Sequence, residues 1–454
     1  MSSSDLVSPD QPKRGGRAKH PPGFRQRRGL NWGALGLMYT SFYLCRYNLS
    51  IANKAISDEF GFSKSQMSTI ISSALLAYAI GQIVNGLLTD RLGGKRAMLI
   101  GAIGTVTMNL LFGVASFWGL LWLFVVIRSI DGYMQAFGAP GFIKVNAAWF
   151  GQTERGTFAG IFGCMINLSR VFIGFGPSLL AGFLFLGLWR IPPLHWRWLF
   201  WVPAGLASLA AVIMALVVKD TPEETGFVGV HAGEADHADS DPRGDMVTVL
   251  MKIISNPVVW IIAVAYACTG AVRQSEDQWF PRYLQEVLHL DMNTSGIASL
   301  TFFLIPVAAS AGSLLSGMIS DRYFQGRRAP VAMGIYLIQV VVILAAAQAH
   351  SAAAVATAFV AISFTVNSTH SLLGPAAAMD IGGRKMAGFA SGVIDSFQYF
   401  GAALALKGLG WLLDKNWDYY FYFMAPFGVV GALLMWSIAH RKSLKKDEPV
   451  AGAA

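Results

Sequence analysis

The amino-acid sequence predicts an all-α membrane protein of twelve transmembrane helices, arranged as two pseudo-symmetric six-helix bundles. Three observations carry that prediction: an unusually apolar composition, a succession of membrane-length apolar segments, and a polar loop motif that returns half a chain later. Of the 454 residues, 54% are hydrophobic and 13% charged, against about 25% charged residues in ordinary soluble domains. Most side chains must therefore face lipid or other helices.

Crossing a hydrocarbon core about 30 Å thick takes about 20 apolar residues in helical form. Six such segments fall at 30–52, 66–89, 97–117, 119–142, 157–188 and 196–218. Six more follow at 257–283, 292–319, 329–349, 351–374, 386–412 and 418–439. Residues 1–29 form a basic arm expected to be disordered and cytoplasmic, and the apolar run after it lacks the short core and small-residue cleavage site of a signal peptide. Residues 30–218 then make the first bundle, 219–256 an acidic flexible linker, 257–440 the second bundle and 441–454 a cytoplasmic tail.

The net charge of +9 raises nucleic-acid binding, but the basic residues sit at the termini and between apolar segments, as membrane topology requires. Arg91, Lys95, Arg96, Arg155, Arg322, Arg327, Arg328, Arg384, Lys385, Arg441, Lys442, Lys445 and Lys446 fall in one set of alternate loops; only Lys54, Lys64, Arg190, Arg197, Arg282 and Lys415 fall in the other. Both termini and the linker are expected on the cytoplasmic side of a cell membrane, a bacterial inner membrane by expectation. Cys45, Cys164 and Cys268 lie within apolar segments and read as packing residues rather than disulfides or metal ligands.

Gly86-Leu-Leu-Thr-Asp90-Arg91 follows the second segment, and Gly317-Met-Ile-Ser-Asp321-Arg322 follows the eighth, 231 residues later (317 − 86). Basic residues trail both copies. Parallel six-helix repeats suit a carrier that rocks one half against the other around a midplane site. This loop, with Arg128-Ser-Ile-Asp-Gly132 in the fourth segment, resembles the signature of the major facilitator superfamily. The resemblance implies that Asp90, Arg91, Asp321 and Arg322 act in gating rather than in substrate binding.

A charge at membrane depth costs at least about 2.5 kcal/mol, so each one demands a partner, a watery cavity or a function. Arg46 lies 16 residues (46 − 30) into the first segment and Arg273 lies 16 (273 − 257) into the seventh. At about 1.5 Å per residue, each is roughly 24 Å from the start of its segment. Two guanidinium forks at one depth, one per half, suit bidentate capture of phosphate or carboxylate. The alternative is neutralisation by protein acids, with Glu276 and Asp277 one turn from Arg273. Arg128 and Asp131 most simply neutralise one another.

A narrower resemblance rests on Arg46-Tyr-Asn-Leu, on Arg273 followed by Trp279 and Tyr283-Leu-Gln-Glu-Val, and on Lys219-Asp-Thr-Pro-Glu-Glu-Thr-Gly226. Together these are similar to the organophosphate:phosphate antiporter family, which includes bacterial glycerol-3-phosphate and hexose-phosphate transporters. It implies that Arg46 and Arg273 bind the substrate phosphate. Two contacts of that family depart here: Gln82 stands where the glycerol-3-phosphate transporter has a lysine, and Ile166 where it has a histidine. Arg170, one turn beyond Ile166, can restore the lost positive charge or pair with an acid.

Asp395, with Gln398 and Tyr399 beside it, has no same-helix cation nearer than Lys407. It can bind a proton or a substrate cation, or salt-bridge to Arg46, Arg170 or Arg273. Glu276 and Asp277 are coupling candidates with it. Tyr47, Tyr78, Asn85, Asn167, Trp279, Asn367 and His370 are candidate cavity-lining residues, of types that equally serve helix packing.

No Gly-rich ATP-binding loop occurs, so gradient-driven transport rather than enzyme chemistry is expected, without a cofactor or metal. The expected function is secondary active transport of a small anionic, most simply phosphorylated, solute by a monomer, exchanged for inorganic phosphate. A proton-coupled symporter of an anionic or zwitterionic solute, and a transporter-like membrane sensor of a sugar phosphate, are the alternatives. Nucleic acid is not an expected partner.

Overall fold

The computed structural model describes residues 21–150, 167, 169–171, 174–185, 189–227, 251, 255–374 and 387–439. Residues 1–20 of the arm, Arg155, Cys164, Ile166, most of the linker, Asp380, Arg384, Lys385 and the 441–454 tail lie outside the described residues. In the first half, α1 spans Phe24–Phe60, α2 Lys64–Leu92 and α3 Gly94–Ala115. The fourth crossing is split into α4 (Leu121–Gln135) and α5 (Gly138–Trp149), and α6 (Gly176–Ala181) closes the fifth. A short hairpin, β1 (Phe183–Phe185) with β2 (Trp189–Ile191), precedes α7 (Trp198–Val217). The second half holds α8 (Pro257–Glu286), α9 (Gly296–Tyr323), α10 (Arg328–Ala347), α11 (Ala352–Leu373), α12 (Ala387–Lys415) and α13 (Tyr419–Ala439).

Helix starts follow from polar residues placed before apolar runs. Ser63 and Gln66 form a reciprocal cap at α2, while the side chains of Asn256, Ser295 and Ser351 accept backbone N–H groups at the starts of α8, α9 and α11. Gly61 and Gly93, at φ 67° and 85°, end α1 and α2 in a region that disfavours any residue with a Cβ. Both copies of the repeated motif occupy the last turn of their helices, Asp90-Arg91 in α2 and Asp321-Arg322 in α9.

Three boundaries differ from expectation. Helix α1 begins at Phe24, inside the arm, because Phe24 stacks on Trp149 (5.8 Å) and meets Phe227 edge-on (5.4 Å), while Arg27 donates to the Val217 carbonyl at 2.6 Å. The linker's first residues are held by the first bundle. Lys219 exchanges two hydrogen bonds with the Asn31 side chain, and the Asp220 carboxylate accepts the backbone N–H of Lys95 at the start of α3, where an anion is favoured. The fifth segment stops before 188, since Gly182 turns the chain and Phe183–Phe185 pair antiparallel with Trp189–Ile191, Phe183 opposite Ile191.

Within the first half α2 packs on α4, and α7 on α1 and α3; within the second, α9 packs on α11, α10 on α13, and α8 on α12. Across the halves, α2 packs on α12 and α1 on α8. The approach of α4 to α2 requires glycine at 132, where a Cβ would run into the Ala74 carbonyl. At the end remote from the termini, one apolar cluster joins Ile56, Ile70 and Phe124 of the first half to Trp279, Tyr283 and Tyr420 of the second. Nearer the termini, each half has its own cluster, around Tyr39, Phe142 and Met214 and around Tyr266, Tyr336 and Met435. Leu216, Leu404 and Val341 are among the large apolar side chains left outward-facing for lipid.

Candidate functional site

Helix α1 carries Tyr39, Tyr43 and Tyr47 at four-residue intervals, which puts them on one face, with ring centroids 5.4 and 5.8 Å apart. Arg46 lies beside this stripe. Its guanidinium carbon sits 4.1 Å over the Tyr78 ring and 4.7 Å over Tyr43, its Nε donates to Gln135 at 2.8 Å, and one terminal nitrogen donates to the Tyr399 hydroxyl at 3.4 Å. Among the described residues Arg46 forms no ion pair. Helix α1 is gripped at this level by Arg128, whose fork donates to the carbonyls of Cys45 (3.1 Å) and Arg46 (2.9 Å) and to Asp131 (2.8 Å). Asp131 accepts from Gln135 at 3.0 Å, so the same buried pair orients the amide that holds Arg46.

Arg273 on α8 is as thinly committed. Among the described residues its closest carboxylate is Asp277 at 3.9 Å, a terminal nitrogen lies 3.5 Å from His370 Nε2, and its buried Nε has no hydrogen-bond acceptor. Arg46 is 7% exposed and Arg273 3%, and the Arg273 Nε left without an acceptor among the described residues is costly unless a ligand takes it up. Arg46 meets Tyr43 and Tyr399 directly, and the Asp277 carboxylate near Arg273 accepts from Tyr47 of the same stripe, so both guanidinium groups border one cluster of rings. Counted from the observed helix starts, however, they are 22 (46 − 24) and 16 (273 − 257) residues in. The equal spacing read from the sequence holds only for the apolar segments, because α1 projects further toward the termini.

Arg170 does pair with an acid, on the opposite half. It donates to Asp277 at 2.6 Å, and Tyr47 donates to the same carboxylate oxygen at 3.0 Å. This cross-bundle pair borders a cavity of about 30 Å³ lined also by Ser50, Phe280, Phe302 and Pro306. One Arg170 nitrogen is buried without an acceptor among the described residues.

Asp395 forms no salt bridge among the described residues. It accepts instead from neutral groups: Gln82 Nε2 at 3.3 Å, which also reaches Tyr78 at 2.8 Å, and the Tyr266 hydroxyl at 3.0 Å. His370 Nδ1 lies 2.7 Å from both Tyr266 and Gln398. A continuous polar chain therefore runs from Arg46 through Tyr78, Gln82, Asp395, Tyr266 and His370 to Arg273.

Trp279 does not join this group. Six residues beyond Arg273, it is turned about 120° away around the helix and packs between Trp417 and Arg282. Glu276 is buried, and among the described residues its Oε1 has no hydrogen-bond donor. Asn85 and Asn367 commit their amides to the Tyr133 and Ser363 carbonyls, as packing residues do. Cys45 and Cys268 are buried free thiols. Asp90 accepts from Lys144 at 3.1 Å within the first bundle, whereas Arg91, Asp321 and Arg322 lie exposed at the helix ends.

At the end remote from the termini, polar contacts cross between the halves. Arg282 donates to Asn53 (2.8 Å) and Ser57 (3.0 Å), Asp414 accepts the first backbone N–H groups of α2 at 2.7 and 3.0 Å, and Lys64 reaches Glu286 at 3.4 Å. Sequence reasoning missed this seal, and it missed Gln135, Tyr43 and Tyr266. The Tyr39–Tyr43–Tyr47 spacing beside an intramembrane arginine was a usable signal for Tyr43; Gln135 and Tyr266 offered none beyond polarity within an apolar segment.

Among curated proteins, the glycerol-3-phosphate transporter of Bacillus subtilis (strain 168) is 27% identical over 394 residues, covering 84% of this chain and 85% of its own. The membrane sensor protein UhpC of Escherichia coli (strain K12) is 28% identical over 412 residues, 88% and 89% of the two chains. The phosphoglycerate transporter protein of Salmonella typhimurium is 26% identical over 424 residues, 90% and 88%. A bacterial homolog of the human lysosomal transporter Spinster, solved inward-facing and unoccupied, superposes with a TM-score of 0.73 at 16% identity over 91% of this chain and 97% of its own, a likeness of fold. The Major Facilitator Superfamily pattern matches residues 35–406. With that match over most of its length, the chain belongs to the Major Facilitator Superfamily, as a multi-pass membrane transport protein rather than an enzyme.

Proposed function

We propose that this protein is a secondary active transporter of a small phosphorylated metabolite, exchanged for inorganic phosphate by alternating access in a bacterial inner membrane with both termini cytoplasmic. Arg46 and Arg273 bind the phosphoryl group, Tyr47, Tyr78 and Gln82 surround it, Arg170 adds a third positive charge once Asp277 releases it, and Asp90, Arg91, Asp321 and Arg322 act in gating. The observation that carries this reading is a pair of buried arginines, one from each half, neither of which donates a hydrogen bond to an acid among the described residues, set beside one tyrosine cluster. The relatives named for glycerol-3-phosphate and phosphoglycerate support a phosphate ester. The test is counterflow of labelled phosphate in proteoliposomes, with Arg46→Lys and Arg273→Lys as controls. Lysine keeps the charge and loses the bidentate fork, so exchange should be lost in both variants while each protein stays folded; unchanged exchange in both sinks the assignment. The relative named as a sensor favours a second reading, a receptor, for which wild-type protein would bind phosphate esters with negligible counterflow.

A further inference from the structure

The hydrogen bonds linking Arg273 to Asp395 have a direction that the donor chemistry sets. A guanidinium only donates, so the His370 Nε2 that faces Arg273 at 3.5 Å carries the lone pair and Nδ1 carries the proton. That proton is directed at the Tyr266 and Gln398 oxygens, both at 2.7 Å. Tyr266, accepting from His370, spends its own proton on Asp395 Oδ1 at 3.0 Å. Gln82 donates to Oδ2 from the other half at 3.3 Å. The path from Arg273 through His370 and Tyr266 thus ends on Asp395, as does the bond from Gln82, and both its oxygens accept, as an ionised carboxylate requires. Yet the donors are neutral. Asp131 and Asp277 each hold a guanidinium at 2.8 and 2.6 Å, whereas Asp395 has no such cation among the described residues. The charges of Arg46 and Arg273 act on it only from beyond contact. A carboxylate has about four lone-pair sites, so acceptor capacity for a cation remains, and Asp395 is only half-buried where both arginines are buried.

We propose that Asp395 is a cation subsite of the transport site, and that the substrates this protein prefers carry a primary ammonium together with the phosphoryl group held by Arg46 and Arg273. The inference rests on the anion reading of the preceding subsection and adds a substrate class to it: small zwitterionic phosphate esters. A proton on Asp395 is the competing occupant.

Isothermal titration of the purified full-length protein with O-phosphoethanolamine and ethyl phosphate, which differ only by the amine, decides between them. At pH 8, above the second phosphoryl ionisation at about 6, both probes carry a dianionic phosphoryl group. Wild type should bind the amine-bearing probe about tenfold tighter or more, as one charge-assisted hydrogen bond implies, and in Asp395→Asn the ratio should fall to about one. Equal or weaker binding of O-phosphoethanolamine by wild type overturns the proposal without recourse to the variant. Proton uptake with ethyl phosphate that disappears in Asp395→Asn assigns the site to a proton and also overturns it. If neither probe nor inorganic phosphate binds, the anion site itself fails, and the ammonium subsite with it.

Discussion

Replacing Asp131 by asparagine should destabilise the first bundle and loosen the anion site together. The Arg128 and Asp131 side chains are 5% and 2% exposed and 2.8 Å apart. Removing the acid leaves Arg128 charged in a buried site, a loss of about 3–5 kcal/mol for a broken buried pair. The variant belongs near the lower end, about 3 kcal/mol, because the Arg128 fork still donates to the Cys45 and Arg46 carbonyls and the new amide oxygen can accept one bond. Removing both charges, as in Arg128→Met with Asp131→Leu, takes away the desolvation cost as well. It should therefore cost less than Asp131→Asn, although the grip on α1 is lost. Denaturant titrations of wild type, each single variant and the double variant in detergent micelles give the coupling. The Gln135 amide that holds Arg46 also depends on Asp131, so phosphate affinity should fall several-fold in Asp131→Asn. A double variant at least as destabilised as the sum of the singles would refute the reasoning, because the pair would then not be a charge compensated by its partner.

Three further outcomes follow from particular contacts. Arg282→Ala removes two charge-assisted bonds across the halves, each worth about 1.5–3 kcal/mol; alkylation of a cysteine placed at Ser50, on the wall of the small cavity, should rise by about two orders of magnitude or more if those bonds hold the bundles together there. Gly270→Ala places a Cβ against the Gln398 carbonyl and should cost about 1–3 kcal/mol as overpacking, with weakened ligand binding because α8 moves off α12; a thermal melt at unchanged temperature counts against that contact. Trp279→Phe should leave phosphate affinity within a factor of about two, since the ring belongs to the remote aromatic cluster; a tenfold loss measured by titration would return Trp279 to the site.

The membrane crossings, the twofold repeat and the two intramembrane arginines were determined by the sequence alone. Each depends on local properties, such as apolar length, a loop motif, or a fixed charge within an apolar run, and the cost of burying a charge is the same whatever the fold around it. The Arg128–Asp131 pair was legible for the same reason, because residues three apart on a helix are neighbours wherever the helix goes. What only the tertiary structure decided is which charge meets which. Asp277 lies one turn from Arg273 yet is held at 2.6 Å by Arg170, which is 107 residues away in the chain and in the other half. Asp395 was open to three arginines and accepts instead from Gln82 and Tyr266. Trp279 matched a family pattern and faces the wrong side of α8. The physical reason is that hydrophobicity places a helix in the bilayer without setting its rotation or its neighbour. Both are set by close packing, as where Gly132 admits the Ala74 carbonyl and Gly270 that of Gln398, and a shift of one residue around a helix turns a side chain by about 100°.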